Sequence, residues 1–169
     1  MSTAGCGWTE GHPDLITLEE ARALPGPAPY WVGQEFEGLP LTAIAKPPSV
    51  IVHYGECEYE ASEEDDFGCN SPLRIETRPI AGGPADWTGL PCRRVTVRGV
   101  ARAFFGNEPG FDLFLELYSG EQTISIVADS EARALRAARA LRPVDADRAS
   151  TEDLPPPTID VEPGLARCA

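Results

Sequence analysis

The sequence predicts an α+β domain: an antiparallel sheet of about six to seven short strands, with a short N-terminal helix and a C-terminal helix packed on one face. Three observations carry that reading. Residues 111–128 form two period-two runs around a tight turn. Phe111, Leu113, Leu115 and Leu117 alternate with Asp112, Phe114, Glu116 and Tyr118. Beyond Ser119-Gly120, the side chains of Ile124, Ile126 and Ala128 share one face. A helical run follows directly. Ala134, Ala137, Ala138 and Leu141 fall at i, i+3, i+4 and i+7, a stripe of mostly small residues that lets a helix lie close on a sheet. Finally, 16 glycines and 17 prolines cut the chain into strand-length pieces, and short connections between consecutive strands favour antiparallel neighbours.

Taken in order, residues 1–15 are polar and are expected to be a flexible N-terminal segment. Thr17 and Glu20 fit a capping box that starts a short helix, and Pro25-Gly26-Pro27 ends it after about Ala23. Tyr30–Gly33 is a short strand. In 39–45, Leu39, Leu41 and Ala43 alternate with Pro40, Thr42 and Ile44. The β-branched run 49–54 is a strand with His53 on its solvent side. Leu73 and Ile75 point inward from the next strand, Arg74 and Glu76 outward. A Gly/Pro loop at 81–91 carries Trp87. Val95 and Val97 then alternate with Arg94, Thr96 and Arg98, Gly99 marks a bend, and 100–105 is a further strand. Asp129 or Ser130 caps the C-terminal helix by accepting from an orphan backbone N–H. One domain thus spans 16–144. Residues 145–169 are acidic and proline-rich, without periodicity, and are expected to be a disordered or loosely attached tail.

At 169 residues, of which 42% are hydrophobic, the chain suits one domain that buries roughly two-thirds of its unfolded surface. The net charge of −13 argues against nucleic acid, because phosphate binding needs clustered cations. It also argues against direct attraction to an anionic membrane surface. No stretch approaches the ~20 apolar residues of a spanning helix. Residues 1–15 have neither the basic start nor the apolar run of a secretion signal. Taken literally, that describes a cytoplasmic protein; the cysteines point the other way.

There are five cysteines: Cys6, Cys57, Cys69, Cys92 and Cys168. Cys57 and Cys69 flank a run holding Glu58, Glu60, Glu63, Glu64, Asp65 and Asp66, which repel one another and have few ways to order themselves. A disulfide there would close a loop of about a dozen residues, worth on the order of 3 kcal/mol. The alternative is two free thiols. Thr3-Ala4-Gly5-Cys6 resembles the end of a bacterial lipoprotein signal, where small residues precede a cysteine that becomes lipidated, although threonine replaces the usual leucine. With Cys6 lipidated, four cysteines remain to pair, as Cys57–Cys69 and Cys92–Cys168. Disulfides imply an oxidising compartment.

Several pieces together resemble a class of uncharacterised bacterial extracytoplasmic domains, often lipoproteins or parts of proteins related to anti-sigma factors. They are Leu18-Glu19-Glu20-Ala21, Tyr30-Trp31-Val32-Gly33, residues 36–41, His53 through Cys57 with Cys69, and residues 138–143. The resemblance covers about residues 15–144. It implies the architecture and an extracytoplasmic location, and it carries no catalytic residues.

No reaction emerges from the motifs. The acidic run lacks the D-x-D-x-D-G spacing of a calcium loop and reads as a solvated loop whose charge Arg74 and Arg78 offset. His53, Cys57, Cys69 and Cys92 offer zinc-ligand types without a C-x-x-C pair. No cofactor is expected. The remaining candidates are aromatic. Phe104, Phe114 and Tyr118 lie opposite the core face of their strands, and Trp31 belongs to an early cluster with Tyr30 and Phe36. Phe114, Tyr118 and Trp31 are the candidates for a face that holds a partner protein or a small apolar ligand. Against that stands coverage of the face by the N-terminal segment or a helix. The expectation is a non-enzymatic, exported or surface-tethered binding or accessory domain. It would meet the membrane only through a lipid anchor at Cys6. The alternative is a small acidic cytoplasmic protein with free thiols and another role.

Overall fold

The computed structural model describes residues 15–46, 49–56, 58–59, 69–80, 92–105, 114–146, 152–161 and 168, with backbone only for 58–59, 69–70 and 100–105. The elements are α1 (Leu18–Arg22), β1 (Tyr30–Trp31), β2 (Glu35–Phe36), β3 (Leu39–Ala45), β4 (Val50–Tyr54), β5 (Glu58–Tyr59), β6 (Cys69–Asn70), β7 (Leu73–Pro79), β8 (Cys92–Val97), β9 (Val100–Phe105), β10 (Phe114–Ser119), β11 (Gln122–Ala128), α2 (Glu131–Ala140) and β12 (Arg142–Pro143). The fold is α+β. One antiparallel sheet runs in the order β2-β3-β4-β7-β11-β10-β9-β8, and the pairs β1-β12 and β5-β6 stand apart from it.

Turn chemistry sets two of its hairpins. The β2–β3 and β8–β9 connections are two residues each, Glu37-Gly38 and Arg98-Gly99, with all four in the left-handed region. Positive φ at both central positions is the geometry that matches strand twist. Glycine takes it without strain, and the residue before each glycine accepts the cost.

The core lies on one face of the sheet. Leu115, Ile126, Ile75 and Val52 are successive cross-strand neighbours on β10, β11, β7 and β4, each at most 1% exposed. Burying side chains of this size contributes about 1.5–3 kcal/mol apiece. Both helices add to the same core, through Ala21 of α1 and through Ala134, Ala137 and Ala138 of α2, with Leu141 just beyond. The Thr17–Glu20 capping box starts α1, and the Ser130 side chain accepts from the Arg133 amide to start α2.

Outside the candidate face, the structure departs from the sequence expectations at β3, at His53 and at the C-terminus. The register of β3 on β4 slips between Leu41 and Ala43, so the alternation breaks and Ile44 and Ala45 are both buried. His53 does sit on the side of β4 away from the core, beside Arg74, yet it is 3% exposed rather than solvated. Its Nδ1 lies 3.2 Å from Ser71 Oγ. Burial, with Arg74 adding to it, pushes its pKa down to about 4.

The largest difference is at the C-terminus. Residues 152–161, expected to be disordered or loosely attached, run as a packed strap. Its backbone pairs with hairpin turns instead of with itself, which is why no periodicity announces it. Leu154 N donates to Arg98 O, Gly120 N to the Pro155 and Pro156 carbonyls, and Thr158 N to Gly120 O. Leu154 enters the main core, while Val161 is buried in a second cluster. The acidic run 60–68 lies outside the described residues.

Candidate functional site

The face of the sheet opposite the core carries the chemistry. Alternation along β10 places Phe114, Glu116 and Tyr118 there, and the register sets Tyr118 beside Thr123 and Arg78, and Glu116 beside Ser125 and Glu76. Arg78 therefore reaches across β11 from β7. Its Nη2 donates to Glu116 Oε2 at 2.9 Å, and its Nη1 lies 3.5 Å from Ser125 Oγ and 3.7 Å from Glu76 Oε1. Tyr118 Oη donates to the other oxygen, Glu116 Oε1. Ser49 Oγ donates to Glu76 Oε1 at 2.7 Å.

Glu116 is fully buried and Tyr118 is 2% exposed. A carboxylate taken out of water costs several kcal/mol unless a cation and hydrogen bonds replace the hydration. Arg78 and Tyr118 supply both. Burial and the adjacent carboxylate raise the Tyr118 phenol well above the ordinary tyrosine range, so its proton stays on the bond to Glu116. Chemically, the group pins three strands together by charge-assisted hydrogen bonds.

The strap covers this face. Ile159, Val161 and Cys168 pack with Tyr118, Phe114, Ile80 and Cys92, and Cys168 is joined to Cys92 by a disulfide with Cα atoms 4.9 Å apart. At its edge, Pro27, Pro79, Ile80, Glu121, Gln122 and Thr158 line a cleft of about 260 Å³. Gln122 holds one wall by donating to the Pro27 and Ala28 carbonyls at 3.1 and 3.2 Å.

Phe114 and Tyr118 thus share a face, as the alternation implied, and among the described residues the C-terminal strap packs on it; residues 1–14 of the N-terminal segment lie outside the described residues. Tyr118 is consequently no open aromatic platform. Trp31 belongs elsewhere. It is 3% exposed in the core cluster, on the other side of the sheet, with the Arg142 guanidinium 5.4 Å from its ring centroid, a cation–π distance. Arg78, read as offsetting the acidic run, donates to Glu116; the run itself lies outside the described residues. Glu116 itself was missed, and the one available signal was its position between two aromatics on the outward face.

Cys69 lies in β6 opposite Tyr59. Cys57 and Cys6 lie outside the described residues. Among the described residues no cluster of three or more His, Cys, Asp or Glu could hold a metal ion, and no helix is long and apolar enough to cross a membrane. No family model, curated protein or solved structure matched the chain.

Proposed function

We propose that the protein is an exported, non-enzymatic binding or accessory domain of the lipoprotein type, tethered through a lipid on Cys6. The observation that carries this reading is the Cys92–Cys168 disulfide. Such bonds persist in oxidising compartments and are rare where glutathione and thioredoxin keep thiols reduced. The bond ties residues 76 apart, so it secures the C-terminal segment to an edge strand of the sheet. The resemblance of residues 15–144 to extracytoplasmic domains supports the same compartment, as does the small-residue run before Cys6. In this reading the ligand is a protein or a small apolar molecule, received at the strapped face or the cleft beside it.

The test is mass spectrometry of the protein purified from its native cells, alkylated before and after reduction. Cys92 and Cys168 should resist alkylation until reduced, and Cys6 should carry the added mass of acyl chains. Five free thiols without lipid would replace this reading with the cytoplasmic alternative.

A further inference from the structure

The strap is held by three unlike anchors. Leu154, 5% exposed, is set into the main core, with its amide on Arg98 O and the Glu152 carbonyl accepting from Arg98 Nε at 2.8 Å. In the middle, Gly120 exchanges backbone bonds with Pro155, Pro156 and Thr158. Among the described residues beyond that point, Ile159 and Val161 give apolar contact, and Cys168 is bonded to Cys92. The sheet below is continuous, each strand bonded to its neighbours. Opening free energy within one protein follows the density of buried contacts and backbone bonds. By that measure the part beyond Leu154, with residues 155, 156, 158 and 160 exposed, is weaker than what it covers, and its covalent end decides whether it stays. The run Pro155–Pro157 is stiff and lacks donors, so the part beyond Leu154 moves as a piece.

We propose that residues 155–161 form a redox-latched cover, hinged at the Leu154 anchor. Oxidised, Cys92–Cys168 holds Ile159 and Val161 on Phe114 and Tyr118. Reduced, this segment comes away while Leu154, the sheet and the core stay in place, and that face is opened. The reductant is a dithiol. Its thiolate attacks one sulfur of the Cys92–Cys168 bond, which breaks, giving a mixed disulfide and one cysteine thiolate. The second thiol of the dithiol, as thiolate, displaces the other cysteine. Two electrons and two protons pass to the cysteines, and the dithiol leaves as its own disulfide. Both cysteines are half-buried, neither sealed in the core, so a small dithiol can reach the bond.

Residue-resolved amide exchange on the full chain tests this, with the oxidised protein, the protein in dithiothreitol, and the Cys92→Ser/Cys168→Ser variant without reductant. The variant separates this bond from any effect of reducing other cysteines. Relative to β7 and β11 amides, those of Gly120 and Thr158 should exchange faster by roughly tenfold or more in both the reduced protein and the variant. Equal acceleration of strap and core would overturn the proposal, because the bond would then stabilise only the fold as a whole. No acceleration, or loss of the folded core in the variant, would overturn it too.

Discussion

Arg78 spans the width of β11 to set its Nη2 2.9 Å from the fully buried carboxylate of Glu116. The pair is asymmetric. Glu116 has no access to water, whereas the Arg78 side chain remains 32% exposed. The arginine can reclaim hydration when the pair breaks, and the carboxylate cannot. Arg78→Met should therefore lower unfolding free energy by about 3 kcal/mol, the cost of stranding a buried charge. The double variant Arg78→Met/Glu116→Leu should recover most of that loss, since burying neither charge is close to neutral. Urea denaturation of the two single variants and the double gives the cycle. A double variant no better than Arg78→Met would show that the packing around Glu116 requires the carboxylate itself.

His53 makes acid stability measurable at one residue. Its folded pKa is depressed to about 4 from the ordinary 6.5, chiefly by burial. Above the unfolded value both states hold a neutral ring and the group contributes no pH dependence. As pH falls below 6.5, the unfolded chain takes a proton that the folded ring refuses, and stability drops until pH about 4. The full drop is on the order of 3 kcal/mol. His53→Gln should remove that component, so wild type and variant should diverge in slope between pH about 7 and about 4.5. Denaturation midpoints across that range provide the comparison, and parallel slopes would assign the acid sensitivity to carboxylates instead.

The close seat of α2 sets a third expectation. Ala134, Ala137 and Ala138 are each fully buried where the helix packs on β11, β10 and β8. Ala137→Leu inserts three heavy atoms where the sheet leaves no room, and should cost about 1–3 kcal/mol. Arg139→Ala, on the exposed side of the same helix, should change stability by less than about 0.5 kcal/mol. Thermal melts of the two variants check the contrast.

These features differ in how far the sequence discloses them. The α2 stripe, both N-caps and the 119–122 turn are local patterns, and local patterns are what a chain displays directly. Ala134, Ala137, Ala138 and Leu141 could be named as core before any tertiary contact was known. The strap could not, because Leu154, Ile159 and Val161 find their partners on hairpin turns and a strand far away in sequence. Alternation correctly set Phe114, Glu116 and Tyr118 on the outward face. It says nothing of what covers a face, and that is why Tyr118 reads as available and Glu116 is not singled out. Trp31 is hidden for a related reason: β1 is two residues long and, among the described residues, pairs with β12 alone, so no longer alternation says which side of the sheet it takes.

Gly99 shows how firmly the strap is seated. Its φ is +77°, and a Cβ built there would lie 2.6 Å from Asp153 Cγ. Gly38 occupies the equivalent place in the β2–β3 hairpin with φ +79°, and a Cβ there meets nothing within 4 Å. Gly38→Ala thus measures the backbone cost alone, about 1 kcal/mol for alanine in the left-handed region. Gly99→Ala carries the same backbone cost plus the collision, and should exceed Gly38→Ala by up to about 1 kcal/mol. The closest clashing atoms are the Asp153 carboxylate atoms, with its Cβ at 3.0 Å, so Asp153→Ala should remove most of the excess and leave the backbone cost. Chemical denaturation of the three variants reads the difference. Equal losses at Gly99 and Gly38 would mean that the strap yields at this end too, and that the Leu154 anchor is as easily released as the middle of the segment.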